Sequence, residues 1–326
     1  MQTISGSSNW KLIIRRETAG ITILRAETCD KKAALPDELF GLPVTVLGDH
    51  ALAPSGFNTN GEEIIITCGP LSADAEWNNR KLRELTLPSG LTQIMSYALM
   101  SCDELSVLRL HDGIQNWHNG ALMNCHRLNT FHITRVSTEQ GETLEYINRA
   151  ISQELDVTVI DTDGQISRLL FPEYIEFFEE NWAARNFDIN IEGGGYSYHH
   201  CFRKKQISMI DYDGLWRKFL GREHDDHCAL RIAWWRLRYP VGLNTAAEQD
   251  YLDYLQKHAS QAVRWLLEEK DHSGLLFLLQ RVEVDKDTIT QACAIAREMH
   301  EAEALAILLE EQHKRFPVGA NKSFDL

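Results

Sequence analysis

Twice in succession the chain spells nearly the same 23 residues. LRELTLPSGLTQIMSYALMSCDE (82–104) is followed by LSVLRLHDGIQNWHNGALMNCHR (105–127). Leu82, Leu85, Leu87, Gly90, Ile94, Ala98, Leu99, Met100 and Cys102 recur as Leu105, Leu108, Leu110, Gly113, Trp117, Ala121, Leu122, Met123 and Cys125. A third round opens with Leu128, Phe131 and Ile133. In each round the L-x-x-L-x-L spacing puts alternate side chains on one side of a short strand. The remaining residues must return the chain to start the next strand beside it. One such coil cannot bury its apolar side alone, whereas stacked coils share a continuous core. The repeat therefore predicts a parallel sheet built coil upon coil, with the Ala-Leu pairs filling the far side. Cys102 and Cys125 are expected to be structural, each a small side chain turned toward turn backbone.

This wording resembles the BspA-like leucine-rich repeats of bacteria, in which a strand is followed by LP-x-x-(L/I)-x-x-I-x-x-x-A-(F/L)-x-x-C. Leu87-Pro88, Leu91, Ile94, Ala98-Leu99 and Cys102 fit that pattern position for position. ALPDELFGLPVTVLGDHAL (34–52) resembles an opening unit, with GITIL (20–24) and EEIIIT (62–67) as further strands. His111 stands where the second unit would carry proline, and 68–80 is irregular. The resemblance implies a short leucine-rich-repeat solenoid over residues 1–135. Residues between the inward leucines alternate outward. Glu84, Thr86, Val107, Arg109, Thr130 and His132 are thus expected on one open face, the candidate surface for another protein.

Beyond Ile133 the period is lost, and TRVSTEQGETLE (134–145) reads as a linker. Residues 1–135 hold 12 Lys+Arg against 14 Asp+Glu, and the remainder 21 against 33, which places the same boundary by charge. VTVIDTDGQISRLLF (157–171) predicts two strands about an Asp-Gly turn. As a calcium loop it fails, because Val159 and Leu170 fall where the first and last ligands belong. From Pro172 onward the reading is helical. PEYIEFFEENWAARNF starts with Pro and early acids, and DDHCALRIAWWRLRYP aligns Leu230, Ala233, Trp234 and Leu237 before Pro240. Thr245-x-x-Glu248 has the spacing of a capping box. A last helical pair sets Ile289, Ala292, Cys293 and Ala296 against Leu305, Leu308 and Leu309, turning near His300. This stretch resembles ankyrin-type helical pairs without their T-P-L-H signature. The expected fold is α+β: repeat domain 1–135, a mainly α-helical, helical-repeat-like domain 144–316 with an initial β-hairpin, and a tail 317–326.

The letters that could carry chemistry gather in HHC (199–201) and HDDHC (224–228). Zinc asks for about four converging N or S ligands. His224 and His227 could share a helix face, with His200 or Cys201 completing a site. Against this, three consecutive ligands cannot converge, no C-x-x-C pair exists, and exposed histidines beside buried cysteines account for the same residues. EGGGYSYHH (192–200) lacks the Gly-Lys-Ser/Thr of a phosphate loop and reads as a flexible turn. FRKK (202–205) reads as a loop and WWRLRY (234–239) as core with snorkelling arginines. Adjacent carboxylates such as Glu179-Glu180 and Glu310-Glu311 read as solvated faces.

A net charge of −14 repels phosphate backbones and argues against generic nucleic-acid binding. Seven cysteines without a dense cluster fit reduced thiols. The opening residues lack a secretory pattern, and no run nears about 18 apolar residues. Together these predict a cytoplasmic, non-enzymatic interaction or scaffold protein. It would need no cofactor and would bind a protein partner rather than nucleic acid or membrane. The rival reading is a zinc-dependent protein or enzyme using 199–228, and a third is homo-oligomer formation through the helical half.

Overall fold

The strands of the repeat stand side by side in register in the computed structural model, which describes residues 2–54, 59–69, 75–137, 141–181 and 186–317. Lys32–Ala34, Glu84–Thr86, Val107–His111, Thr130–Thr134 and Leu155–Ile160 pair in parallel, and Ile166–Phe171 closes the sheet antiparallel. Val107 lies against both Glu84 and Thr130, each 23 positions away, so the sequence period is the strand register. Leu85, Leu108, Leu110, Phe131, Ile133 and Val157 point inward and are buried. On the return side Leu42–Leu47, Gln93–Ile94 and Asn116–Trp117 pair in parallel within a second, eight-stranded sheet. Gly20–Glu27 and Glu62–Thr67 are strands of that sheet, as predicted. Ala98, Leu99, Ala121 and Leu122 fill the space between, Ala98 and Leu99 fully buried.

The chain divides into one unit of Met1–Cys228 with Tyr239–Gly242, and another of Ala229–Arg238 with Leu243–Leu326. The hairpin expected to open the helical half is instead the end of the repeat sheet. Thr130 pairs with Asp156 and Ile133 with Val159, an offset of 26 instead of 23. Helix Thr143–Ala150 occupies the turn of this last coil and begins within the stretch 134–145 that reads as a linker. The longer turn shifts the frame, and valines take the place of leucines, so the periodicity disappears while the stacking continues. Helix Thr143–Ala150 also carries part of the core, with Leu144 and Ile147 buried.

Residues read as a helix after Pro172 form an antiparallel hairpin, Tyr174–Asn181 with Asn186–Gly193. Its strands are rich in aromatic and β-branched residues, and NFDINIEG alternates apolar and polar with a period of two. Proline at the start and scattered glutamates suited either structure; the alternation decides. The glycine-rich stretch is not a free turn either. Gly195–Cys201 is a 3-10 helix, and a Cβ on Gly195 would collide with the Pro172 carbonyl. Nε2 of His199 sits 3.1 Å from the Asn148 carbonyl, which ties this segment to the preceding helix. In FRKK, Phe202–Arg203 pairs with Gln206–Ile207 through a turn in which Lys204 and Lys205 have positive φ.

The second unit is helical: Thr245–Lys257, Ala259–Glu268, His272–Arg281, Lys286–Glu298 and Ala302–Arg315, with Ala229–Arg238 from the helix Asp226–Arg238. Its core stacks Trp234, Trp235, Trp265 and Phe277, the ring pairs standing 5.7–6.4 Å apart near right angles or tilted. Ile289, Ala292, Cys293 and Ala296 are buried against the final helix, where Leu308 is buried and His300 turns the chain at φ 59°. Two local readings are corrected. The cap of Thr245–Lys257 is Asn244, whose side chain accepts from the Ala247 N–H, while Glu248 reaches Arg281. Asn outcompetes the neighbouring Thr as a cap because its carbonyl reaches the third N–H readily. Arg236 does not snorkel; it is wholly buried.

Candidate functional site

The six residues predicted on one face share it, on three adjacent strands. Register extends them into rows across the sheet. One row runs Lys32, Glu84, Val107, Thr130, Asp156; the next runs Ala34, Thr86, Arg109, His132, Thr158, Arg168. Each position alternates with a buried alanine, leucine, phenylalanine, isoleucine or valine, which fixes its outward direction. Glu84 lies between two cations, 2.5 Å from Lys32 and 3.7 Å from Arg109. The Lys32 ammonium, foremost, holds the Glu84 carboxyl below its ordinary range. At the other end Arg168 grips Asp156 through two bonds of 2.9 and 2.7 Å.

Between these pairs sits His132. Burial, and then the Arg109 guanidinium, push its imidazole below its ordinary value. His132 lies in its row between the Arg109 and Arg168 guanidinium groups, and the face presents charge as ordered rows. Arg109 keeps 44% of its side chain exposed, enough for its donors to meet an incoming carboxylate or carbonyl. Sequence reasoning missed Asp156 and Arg168, because the frame shift of the last coil hides their register, and Lys32, because its strand stands 52 positions before its partner and not 23.

It also missed one member of a buried series. Counting back 23 from Cys102 gives Asn79. Asn79 is buried with φ 59°, and its amide donates to the Ala26 and Leu52 carbonyls while its oxygen accepts from the Thr28 N–H. Cys102 Sγ lies 3.5 Å from the Leu52 carbonyl and Cys125 Sγ 3.1 Å from that of Leu99. Each thiol therefore donates toward the preceding coil. Burial pushes the Cys125 thiol up to about 12 and raises Cys102 well above its ordinary value, leaving both protonated and unreactive.

The His/Cys letters scatter. His200 is exposed and Cys201 buried, its thiol raised by burial to about 12. His224 places Nδ1 2.7 Å from the Arg222 carbonyl and Nε2 3.6 Å from Asp226, and His227 donates its backbone N–H to Asp225. Among the described residues no three His, Cys, Asp or Glu side chains are grouped to hold a metal ion. Nor is any helix among them long and apolar enough to cross a membrane.

Among solved structures, a leucine rich cell surface protein from Faecalibacterium prausnitzii A2-165 is 17% identical over 48% of this chain, with a TM-score of 0.28. This chain covers 38% of that protein's length. A leucine rich repeat protein of T. pallidum is 19% identical over 37% of this chain and 68% of its own, with a TM-score of 0.18. No curated protein matches. The family described as "BspA type leucine rich repeat region (6 copies)" matches residues 73–159, which takes in the repeated coils and all but the last residue of the strand Leu155–Ile160. Residues 73–159 of the chain are a BspA-type leucine-rich repeat region.

Proposed function

We propose that the protein is a non-enzymatic interaction or scaffold module that binds another protein on the outer face of its repeat sheet. Leucine-rich repeats generally mediate protein–protein contacts. The observation that carries the reading is the pair of registered rows in which Lys32, Glu84 and Arg109 are ion-paired and His132 lies between them and the Arg168–Asp156 pair. Backbone register sets the spacing of these groups, so a partner meets them with little ordering cost. Arg is enriched among residues that dominate interface energies, and its planar fork recognises carboxylates in two contacts. We further propose that stacked coils form a short solenoid and that the helical unit supplies a second contact surface. A cytoplasmic setting is part of the same proposal.

The test is capture of a partner from a lysate of the source organism by full-length protein, compared with Arg109→Glu and His132→Glu. One protein recovered reproducibly by the wild type and lost with both variants, at unchanged melting temperature, supports this face. Equal recovery by both variants refutes it.

A further inference from the structure

A second surface of the repeat-bearing unit, apart from the strand face, has its own chemistry. An open groove of about 890 Å³ lies where the hairpin Tyr174–Asn181/Asn186–Gly193 meets residues 219–228. Tyr174, Ile175, Ile191 and Phe219 supply its apolar lining, with Ile175 47% and Ile191 36% exposed. Phe177 and Ile189 of the same hairpin are 43% and 58% exposed, and several large apolar side chains left exposed on one element mark a surface that gains by being covered. Glu154, Glu173, Glu192, Glu223 and Asp225 line the same groove, against Arg222 and His224 as its basic residues. Glu173, Glu192 and Glu223 are exposed and make no ion pair among the described residues. The hairpin is a two-stranded sheet of its own, with no further strand paired to either edge among the described residues.

We propose that this groove docks an extended basic segment of a partner protein, one alternating Lys or Arg with aliphatic residues. Charge complementarity selects the basic side chains, and the apolar lining selects the aliphatic ones. An extended backbone suits a hairpin with open edges, since side chains of a strand alternate between two sides. A small cation would satisfy the carboxylates but leave the isoleucines uncovered.

The probe is a fluorescein-labelled ten-residue peptide alternating arginine with valine, titrated into the full chain by polarisation. Its controls replace valine with serine, or arginine with glutamate. Saturable binding is expected, weakened at least tenfold by Glu173→Lys with Glu192→Lys, and separately by Ile175→Asp. Equal charge reversal at Glu269 and Glu298 on the helical unit should change it less than twofold. Binding that falls equally with that pair, which does not line the groove, shows diffuse attraction to an acidic protein and overturns the groove. So does a serine peptide that binds as tightly, or displacement by spermidine at comparable concentration, which would make the ligand a small cation. Arg109→Glu should leave peptide binding intact, separating failure here from failure of the strand-face reading.

Discussion

The repeat-bearing unit and the helical unit close their turns by different means. In the first, Asn79, Cys102 and Cys125 each reach the carbonyl of a neighbouring coil, across 26 to 53 positions of chain. In the second, Asn244, Asp271 and Asp285 each accept from an N–H three residues on. A helix cap forms as soon as its own helix does. The ladder of the repeats exists only once coils have stacked, so those turns owe their shape to a neighbour. Turn residues in the repeats should accordingly be costlier to change than helix caps of the same type.

The core bounds the scale. Leu108, wholly buried in a central strand, should lose about 2–5 kcal/mol on Leu108→Ala, measured by equilibrium urea unfolding of the full chain. A loss under about 1 kcal/mol would mean the coils do not share a close-packed core. Asn79→Ala comes next. It deletes three buried hydrogen bonds at about 1 kcal/mol each and places alanine at a positive φ. Asn244→Ala, the matching change at a helix cap, should cost about 1 kcal/mol. Equal losses at Asn79 and Asn244 would break the comparison between the units.

Smaller effects follow pH. The Ser89 backbone N–H and then its hydroxyl bond Asp37 and hold its carboxyl below the ordinary range. The ionised form is favoured on folding, so this contribution is full above the unfolded carboxylate value and is lost as pH falls through the lower folded one. The melting-temperature gap between wild type and Asp37→Asn should therefore close on acidification. A gap independent of pH would remove Asp37 from the account. The smallest change is at His132. With Arg109→Gln, its NMR titration should move up toward the ordinary value yet stay below it, because burial remains the larger cause. No movement would show that Arg109 and His132, neighbours in one row, do not interact.

How much of this was legible depended on whether a pattern repeated in frame. Leu85, Leu108 and Phe131 announce three strands, and the outward residues between them followed by alternation alone. Asn79 is legible in principle, 23 before Cys102, yet the stretch before it lacks the L-x-x-L-x-L spacing and reads as irregular. Val157 and Val159 read as strand from sequence alone, but helix Thr143–Ala150 lengthens the coil that precedes them and hides that they continue the repeat. In 174–193, local features suited helix and strand equally until alternation was given its weight. The His/Cys letters of 199–228 lie close in sequence, yet the fold turns them to different neighbours: His224 to the Arg222 carbonyl and Asp226, Cys201 into the core.

By itself the sequence determined the coil, its 23-residue pitch and which side chains face inward, since these follow from the period and from burial of leucine. It also determined the helices after 226, where apolar spacing is regular. Only the tertiary structure decided where the sheet ends, that the stretch after Pro172 is a hairpin, and which charges meet across strands. Those outcomes rest on contacts between residues far apart in the chain. Arg168 meets Asp156 because two strands pair, and a carboxylate-lined groove forms because distant segments close around it. No local pattern encodes a distance between two segments; packing sets it.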